Sequence, residues 1–232
     1  MSGRLLLFIY IGVALASLPA RAQDSDNWYR LELGASAGLG FTLDDCNGKA
    51  YGSTRPAVGL VARFPLNPRM AVKTGLTYLS AKGTTADVAD FYPSRPDGAT
   101  ADRLAYTYSG GIVDCSGLFE LNFLPYGWER GYQGYKRVVP YFQFGFGVTY
   151  GTPGKAFTAN IPIGVGAKWK IGRRLNLGLD WRFHFTLSDK LDGLEAPKYI
   201  STGGFKNKDH YNATLITLTY DLSPKCPTCN KD

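Results

Sequence analysis

The feature that most constrains the fold of this chain is a strict alternation of apolar with polar or small residues. Between Leu175 and Leu187 every odd position is apolar, and every even position is polar or glycine. Successive side chains of a β-strand point to opposite faces, so this segment would present one apolar and one polar face. An amphipathic helix needs apolar residues three and four positions apart, and the segment violates that spacing. The alternation therefore predicts a strand.

The same alternation recurs along the chain in eight segments. They cover residues 29–41, 57–64, 70–78, 113–123, 142–150, 160–171, 175–187 and 214–222. Each is close to the roughly 9–11 residues that a tilted strand needs to cross the hydrocarbon layer of a membrane. An even number of strands also places both ends of the chain on one side, which in an outer-membrane barrel is the periplasm.

The joins between these segments alternate between short and long. Residues 65–69 and 172–174 form tight turns, whereas three joins are long and polar, namely 42–53, 83–107 and 188–208. Short turns on one side and long loops on the other are typical of outer-membrane barrels. Two joins depart from the rule, because 125–138 is long on the short-turn side and 151–158 is short on the long-loop side.

The sorting of residue types favours a membrane barrel over a soluble one. One face of the segments carries large apolar side chains, and the other carries Gly, Ser, Thr and charges of both signs. By parity, an inward-facing set Arg30, Arg63, Lys73, Lys168, Lys170 and Arg182 would face Glu32, Asp114, Glu120 and Asp180. We predict an all-β fold, an eight-stranded antiparallel transmembrane outer-membrane β-barrel with a bore filled by side chains. A soluble lipocalin-like barrel or sandwich is the alternative.

The N-terminus predicts export. Met1 to Arg4 is positively charged, residues 5–16 are apolar, and Ala20-Arg21-Ala22 forms an A-x-A cleavage site. This arrangement is typical of a secretory signal peptide, and the apolar run is shorter than the ~20 residues of a spanning helix. We therefore predict a cleaved signal peptide at 1–22, a barrel at 23–222 and a periplasmic tail at 223–232.

Four cysteines enter an oxidising compartment under this interpretation. Cys226 and Cys229 form a C-x-x-C pair in the tail, where a local disulfide is the first hypothesis and a bridge to a periplasmic partner is the second. Cys46, in a long loop, and Cys115 can also pair, although parity turns Cys115 toward lipid.

The sequence offers little catalytic chemistry. The chain has only two histidines, and its Gly-x-Gly pairs lie inside strands rather than at a strand-to-helix turn. His184 with Asp180 and Ser188 could suggest an enzyme, but strand residues four apart lie ~13 Å from each other. We expect no catalytic, cofactor-binding or metal site, no cofactor and no nucleic-acid partner.

Several short motifs carry a resemblance to a known family. They are Arg55-Pro56, Asn67-Pro68-Arg69, the run from Phe119 to Tyr126, Pro140-Tyr141, the runs 163–168 and 187–193, and the cysteine-containing tail. By their order and spacing, about residues 28 to 229 resemble the PorG-like family, small outer-membrane barrels of the type IX secretion machinery of Bacteroidota.

The resemblance implies a non-enzymatic anchor. Such barrels associate with a periplasmic ring, formed by a lipoprotein and its partner, in a system that exports proteases and is tied to gliding in relatives. The partner surface would lie on the periplasmic side, where the basic residues are Arg69, Arg130, Lys136, Arg137, Arg173, Arg174 and Lys225. A basic rim can meet an acidic partner or the anionic headgroups of outer-membrane lipid. The alternatives are a surface receptor or adhesion barrel acting through the long loops, and a lipid-modifying enzyme.

Overall fold

The computed structural model describes residues 29–85, 106–128, 134–194 and 208–224. These residues form eight antiparallel strands that pair in chain order and close into a barrel through β1 and β8. The strands are β1 (Tyr29–Leu43), β2 (Arg55–Asn67), β3 (Met70–Thr84), β4 (Thr107–Asn122), β5 (Val138–Gly151), β6 (Ala156–Lys170), β7 (Leu175–Thr186) and β8 (His210–Pro224). The predicted eight-stranded closed barrel is confirmed.

Closure satisfies the backbone of the first and last strands. The β1–β8 ladder runs from Tyr29 opposite Pro224 to Leu43 opposite His210, so neither strand has an open edge. A closed ladder is what a sheet needs inside lipid, since an unpaired backbone group there costs several kcal/mol. Among the described residues there is no helix of the length and apolarity needed to cross a membrane.

The two ends of the barrel differ in their connections. One end, called here the short-turn end, carries the start of β1, the end of β8 and the joins 68–69, 123–137 and 171–174. The other, called the long-loop end, carries the joins 44–54, 85–106, 152–155 and 187–209. The strands are longer than the sequence predicts at the long-loop end, where Thr84 of β3 still pairs with Thr107 of β4.

Large apolar side chains cover the outside of the barrel. Phe146 is 76% exposed and Leu60 is 64% exposed. Further exposed apolar residues on the strands include Leu33, Leu39, Val58, Phe64, Val72, Leu76, Tyr78, Leu121, Phe144, Val148, Phe157, Ile163, Val165, Trp169, Leu179, Trp181, Ile216, Leu218 and Tyr220. An apolar surface of this extent is unstable in water and suited to hydrocarbon. The chain is therefore a transmembrane barrel of the outer-membrane type.

Charged side chains occupy the inside. The strands bury five cations, Arg63, Lys73, Lys168, Lys170 and Arg182, together with five carboxylates, Glu32, Asp114, Glu120, Asp180 and Asp221. The inward set predicted by parity is confirmed with one exception. Arg30 is exposed, because it lies one residue from the end of β1, at the mouth of the barrel.

An apolar layer near the long-loop end was not predicted. Leu79, Tyr108, Ile112, Tyr211 and Leu215 point inward there and pack as a buried cluster. The alternation already placed Leu215 on the bore-facing side, but it is read along one strand at a time and did not show that apolar residues of several strands pack together. The bore therefore has two layers. Ionic contacts lie toward the short-turn end, and apolar side chains pack toward the long-loop end.

Cys46 and Cys115 are both free thiols. Cys46 is buried at the long-loop end, whereas Cys115 lies on the outer face, between Leu76 and Val148 of the neighbouring strands. The two side chains therefore lie on opposite faces of the barrel wall, which explains why they do not pair. Cys226 and Cys229 lie outside the described residues, as does the predicted signal peptide at 1–22.

Candidate docking site at the short-turn end

The floor of the site is an ionic network centred on Glu120 of β4. Its carboxylate lies 2.9 Å from Arg63 Nε, 3.0 Å from Lys73 Nζ and 3.1 Å from Lys168 Nζ. The Glu120 side chain has no exposed surface. Three cations from three different strands thus converge on one buried carboxylate, which ties β2, β3, β4 and β6 together across the bore.

Neighbouring carboxylates complete the charge balance. Asp180 Oδ1 accepts hydrogen bonds from Lys73 Nζ at 2.7 Å and Gln143 Nε2 at 2.9 Å. Glu32 Oε2 pairs with Arg63 Nη1 at 2.5 Å. Because each buried cation of this layer meets a carboxylate, the barrel holds these charges without exposing them to lipid. The result is a bore blocked by its own side chains.

The described parts of the join 123–137, residues 123–128 and 134–137, fold back over the mouth of the barrel. Tyr126 N donates to Pro68 O at 2.9 Å, Gly127 N donates to Lys136 O at 3.1 Å, and Lys136 N donates to Pro125 O at 2.7 Å. These bonds satisfy backbone groups that would otherwise need water. They hold the described parts of this long join against the end of the barrel that otherwise has short turns.

Tyr126 is the residue that fixes this loop to the bore. Its hydroxyl donates to Asn176 Oδ1 at 2.8 Å, and its ring lies under Lys168 Nζ at 4.9 Å and Lys170 Nζ at 5.4 Å from the centroid. Burial raises the pKa of the Tyr126 hydroxyl, so it stays protonated and remains a donor. Cation–π contacts of this kind are worth about 0.5–2 kcal/mol each.

A cavity of about 440 Å³ lies between this loop and the barrel wall. Its lining consists of Tyr29, Glu32, Arg63, Pro65, Asn67, Pro68, Ala71, Asn122, Tyr126, Gly127, Trp128, Tyr135, Lys168, Lys170, Arg173 and Asp221. The volume falls within the range of about 300–1,000 Å³ typical of ligand pockets. Four cations face two carboxylates, and Arg63 Nη2 has no hydrogen-bond partner among the described residues. Such a lining suits an anionic group flanked by apolar or aromatic surface.

Five exposed cations surround the mouth. Arg69 lies in the β2–β3 turn, Lys136 and Arg137 in the folded-back loop, and Arg173 and Arg174 in the β6–β7 turn. The structure thus places these predicted partner-surface residues at the same end of the barrel. Arg130 and Lys225 of the same predicted set lie outside the described residues.

These five cations differ in how firmly they are held. The Arg137 guanidinium stacks 3.9 Å above the Trp128 ring, Arg69 Nη1 donates to Phe123 O at 3.2 Å, and Arg174 Nε donates to Tyr29 OH at 3.1 Å. Arg173 and Lys136 make no side-chain hydrogen bond or ion pair with another described residue. Their charged groups are therefore the ones available to a partner.

The chain as a whole matches one family model. The family described as a domain of unknown function, DUF6089, matches residues 7–231. The chain belongs to this family. No curated protein matches it.

The DUF6089 chain is also similar to solved outer-surface proteins at low identity. Neisserial surface protein A (NspA) is 10% identical with a TM-score of 0.47, covering 83% of this chain and 97% of that one. Ail, the attachment invasion locus protein of Yersinia pestis, solved with the heparin analogue sucrose octasulfate, is 8% identical with a TM-score of 0.44, covering 83% and 99%. The fold assignment rests on the strand pairing of the DUF6089 chain itself.

His184 of the DUF6089 chain lies in the bore and not in an open site. Its Nδ1 is 3.6 Å from Asp114 Oδ1, its ring stacks on Tyr211 at 4.3 Å, and it is only 1% exposed. The carboxylate beside it is Asp114, which comes from another strand, and not Asp180. A substrate would have to enter the filled bore to reach it.

Sequence reasoning missed the residues that hold the folded-back loop. Asn176 and Asp221 bind Lys170 at 3.0 and 2.6 Å, and Asn176 also receives the Tyr126 hydroxyl. A signal was available, because Lys170, Asn176 and Asp221 all face inward and lie near strand ends at the short-turn end. No pattern in the sequence, however, indicated that Tyr126 would enter the bore.

Proposed function

We propose that this chain is a non-enzymatic outer-membrane anchor of the type IX secretion machinery, docking a periplasmic ring that contains a lipoprotein and its partner. The short-turn end, where β1 begins and β8 ends, would face the periplasm. The observation that carries the proposal is the set of five exposed cations around the mouth of a barrel whose bore is blocked. A blocked bore does not conduct, and an exposed basic rim attracts an acidic partner.

Two of the motifs that resemble PorG-like barrels lie at the short-turn end. Asn67-Pro68-Arg69 forms the first turn of the rim, and the run from Phe119 leads into Tyr126 and the folded-back loop. The resemblance therefore includes the proposed docking end, together with the barrel wall and the long-loop end, where Arg55-Pro56 and 187–193 lie.

Deleting the gene tests the proposal in the cell. We expect cargo proteases to stay off the cell surface, and expression of the intact chain from a plasmid to restore them. Surface levels that are unchanged by the deletion would overturn the secretion role. Loss of ligand binding at the cell surface with normal export would instead support a receptor acting through the long loops.

Reversing the two available rim charges tests the docking end. Arg173→Glu combined with Lys136→Glu should reduce recovery of the periplasmic ring proteins at least several-fold after mild solubilisation, because like charges then oppose the acidic partner. Recovery by the unaltered chain should also fall as salt screens the attraction.

The matched control makes the same charge change at the opposite end. Lys49→Glu combined with Lys155→Glu alters two exposed lysines of the long-loop end, and it should leave recovery unchanged. If both double variants recovered the periplasmic ring proteins equally well, the basic rim would play no part in docking.

A further inference from the structure

A buried acidic cluster lies at the long-loop end, opposite the docking site. Asp44 and Cys46 belong to the turn after β1, which closes through paired backbone bonds between Asp44 and Asn47. Asp192 lies in the segment after β7, and Asp209 lies immediately before β8. One ligand atom from each of Asp44, Cys46 and Asp192 falls within 4.8 Å of the other two. Three separate parts of the chain therefore bring their acidic groups to one point.

The charges of this cluster are not compensated, in contrast to those of the bore. Within the described part of the chain, no ion pair joins a lysine or arginine to Asp44, Asp192 or Asp209. Asp45 lies nearby, as does Asp189, which has Lys190 and Lys208 close to it. Buried carboxylates without a cation are costly, whereas a metal ion neutralises them directly.

One carboxylate oxygen is aimed into the cluster without a partner. Asp192 is 1% exposed, its Oδ1 accepts from Leu194 N at 2.9 Å, and its Oδ2 has no hydrogen-bond partner among the described residues. Buried polar atoms are nearly always satisfied, so this oxygen points to a ligand that completes its bonding.

The other groups of the cluster are held in place. Asp44 Oδ1 accepts from Cys46 N at 2.9 Å, and its Oδ2 accepts from the Tyr108 hydroxyl. Asp209 Oδ2 accepts from the backbone N–H groups of Leu191 at 2.7 Å and Asp192 at 3.4 Å, which fixes the segment that carries Asp192. Outer contacts of this kind orient the ligands of metal sites.

A small void adjoins the acidic groups of the cluster. This void of about 10 Å³ is lined by the polar residues Thr42, Asp44, Tyr108, Asp192, Asp209 and His210 and by the apolar residues Ala81, Ile112 and Leu191. This is about the space of one water molecule.

We propose that Asp44, Cys46 and Asp192 bind one divalent transition metal of the zinc class, which fastens the segment after β7 to the turn after β1. Zinc accepts a thiolate and carboxylates at ~2.0–2.3 Å, so the three ligand atoms must move together by about 1 Å. Calcium and magnesium prefer oxygen ligands alone, and a buried cysteine disfavours them. On binding, the Cys46 thiol releases its proton to solvent as the metal–sulfur bond forms.

The test uses the full-length barrel, refolded, stripped with a chelator and titrated with Zn²⁺ or Co²⁺. Cys115, Cys226 and Cys229 are replaced by serine, so that Cys46 is the remaining thiol. We expect one ion per chain, and a thiolate-to-cobalt charge-transfer band. Cys46→Ser should remove that band and weaken zinc binding at least tenfold.

Asp192→Asn is the second variant, since it keeps the shape of the side chain and removes the charge. It should also weaken zinc binding at least tenfold, in protein whose folded state is verified by its electrophoretic shift on heating. No bound zinc, or a calcium affinity that is the same with and without Cys46, would overturn the proposal. The result is independent of the secretion role, because it is measured on the purified barrel.

Discussion

Replacing Glu120 with glutamine should destabilise the barrel by about 3–5 kcal/mol, the cost of removing one partner of a buried ion pair. Arg63 would keep Glu32, and Lys73 would keep Asp180. Among the described residues the ion-pair partner of Lys168 is Glu120, so Lys168 would lose that carboxylate and remain buried with its charge. Unfolding in urea, followed by tryptophan fluorescence in lipid vesicles, measures the change.

Two further variants separate the loss of charge from the loss of packing. Ser116→Ala alters another inward-facing, buried residue of β4 that has no charged partner, and it should change stability by less than about 0.5 kcal/mol. Adding Lys168→Met to Glu120→Gln should recover part of the loss, because the orphaned cation is then absent. If Glu120→Gln proved as stable as Ser116→Ala, the ionic network would not support the barrel.

Gly145→Ala should also destabilise the barrel strongly, by about 3 kcal/mol. A Cβ at Gly145 would lie 1.9 Å from Gly117 O and 2.8 Å from Leu118 Cα, both backbone atoms of the neighbouring strand β4. A backbone carbonyl within a closed ladder cannot rotate away as a side chain can. The two strands must therefore separate locally, which weakens their pairing. The same urea titration measures the loss.

Gly178→Ala provides the matched control for this position. Gly178 also faces the bore and is buried, but a Cβ there meets nothing closer than 3.7 Å. It should be tolerated within about 0.5 kcal/mol, because the added methyl makes only ordinary contacts. Equal losses in the two variants would mean that glycine is needed for a general reason and not for the close approach of β4.

The barrel wall could be predicted from the sequence because its cause is local. In β7 the alternation from Leu175 to Thr186 is a property of one strand, and lipid on one side with a polar bore on the other preserves it at every position. The same reasoning predicted the inward set that includes Arg63, Lys168 and Asp180. It was wrong for Arg30, because parity gives the direction of a side chain and not its distance from the end of the barrel.

The partners inside the bore could not be predicted in this way. Glu120 binds cations from β2, β3 and β6, and His184 lies beside Asp114 and not beside Asp180. These contacts depend on the relative offset of strands across the bore, which no single segment specifies. The acidic cluster was missed for a related reason, since Asp44 and Asp192 are almost 150 positions apart and meet only when the barrel closes.

The most direct test of the account is whether the apolar exterior meets lipid. Nitroxide labels are placed singly at Leu60, Phe146 and Ile216, on three different strands, in a chain without native cysteines and reconstituted in lipid vesicles. A fourth label at Lys49, in an exposed part of the long-loop end, gives the behaviour of a site in water.

The measurement is the collision rate of each label with oxygen, which concentrates in lipid, and with a nickel complex, which stays in water. We expect oxygen to relax the labels at Leu60, Phe146 and Ile216 strongly and nickel to relax them weakly, with the reverse at Lys49. If the three labels collided with nickel as readily as the one at Lys49, the exterior would face water, and the transmembrane barrel would be contradicted.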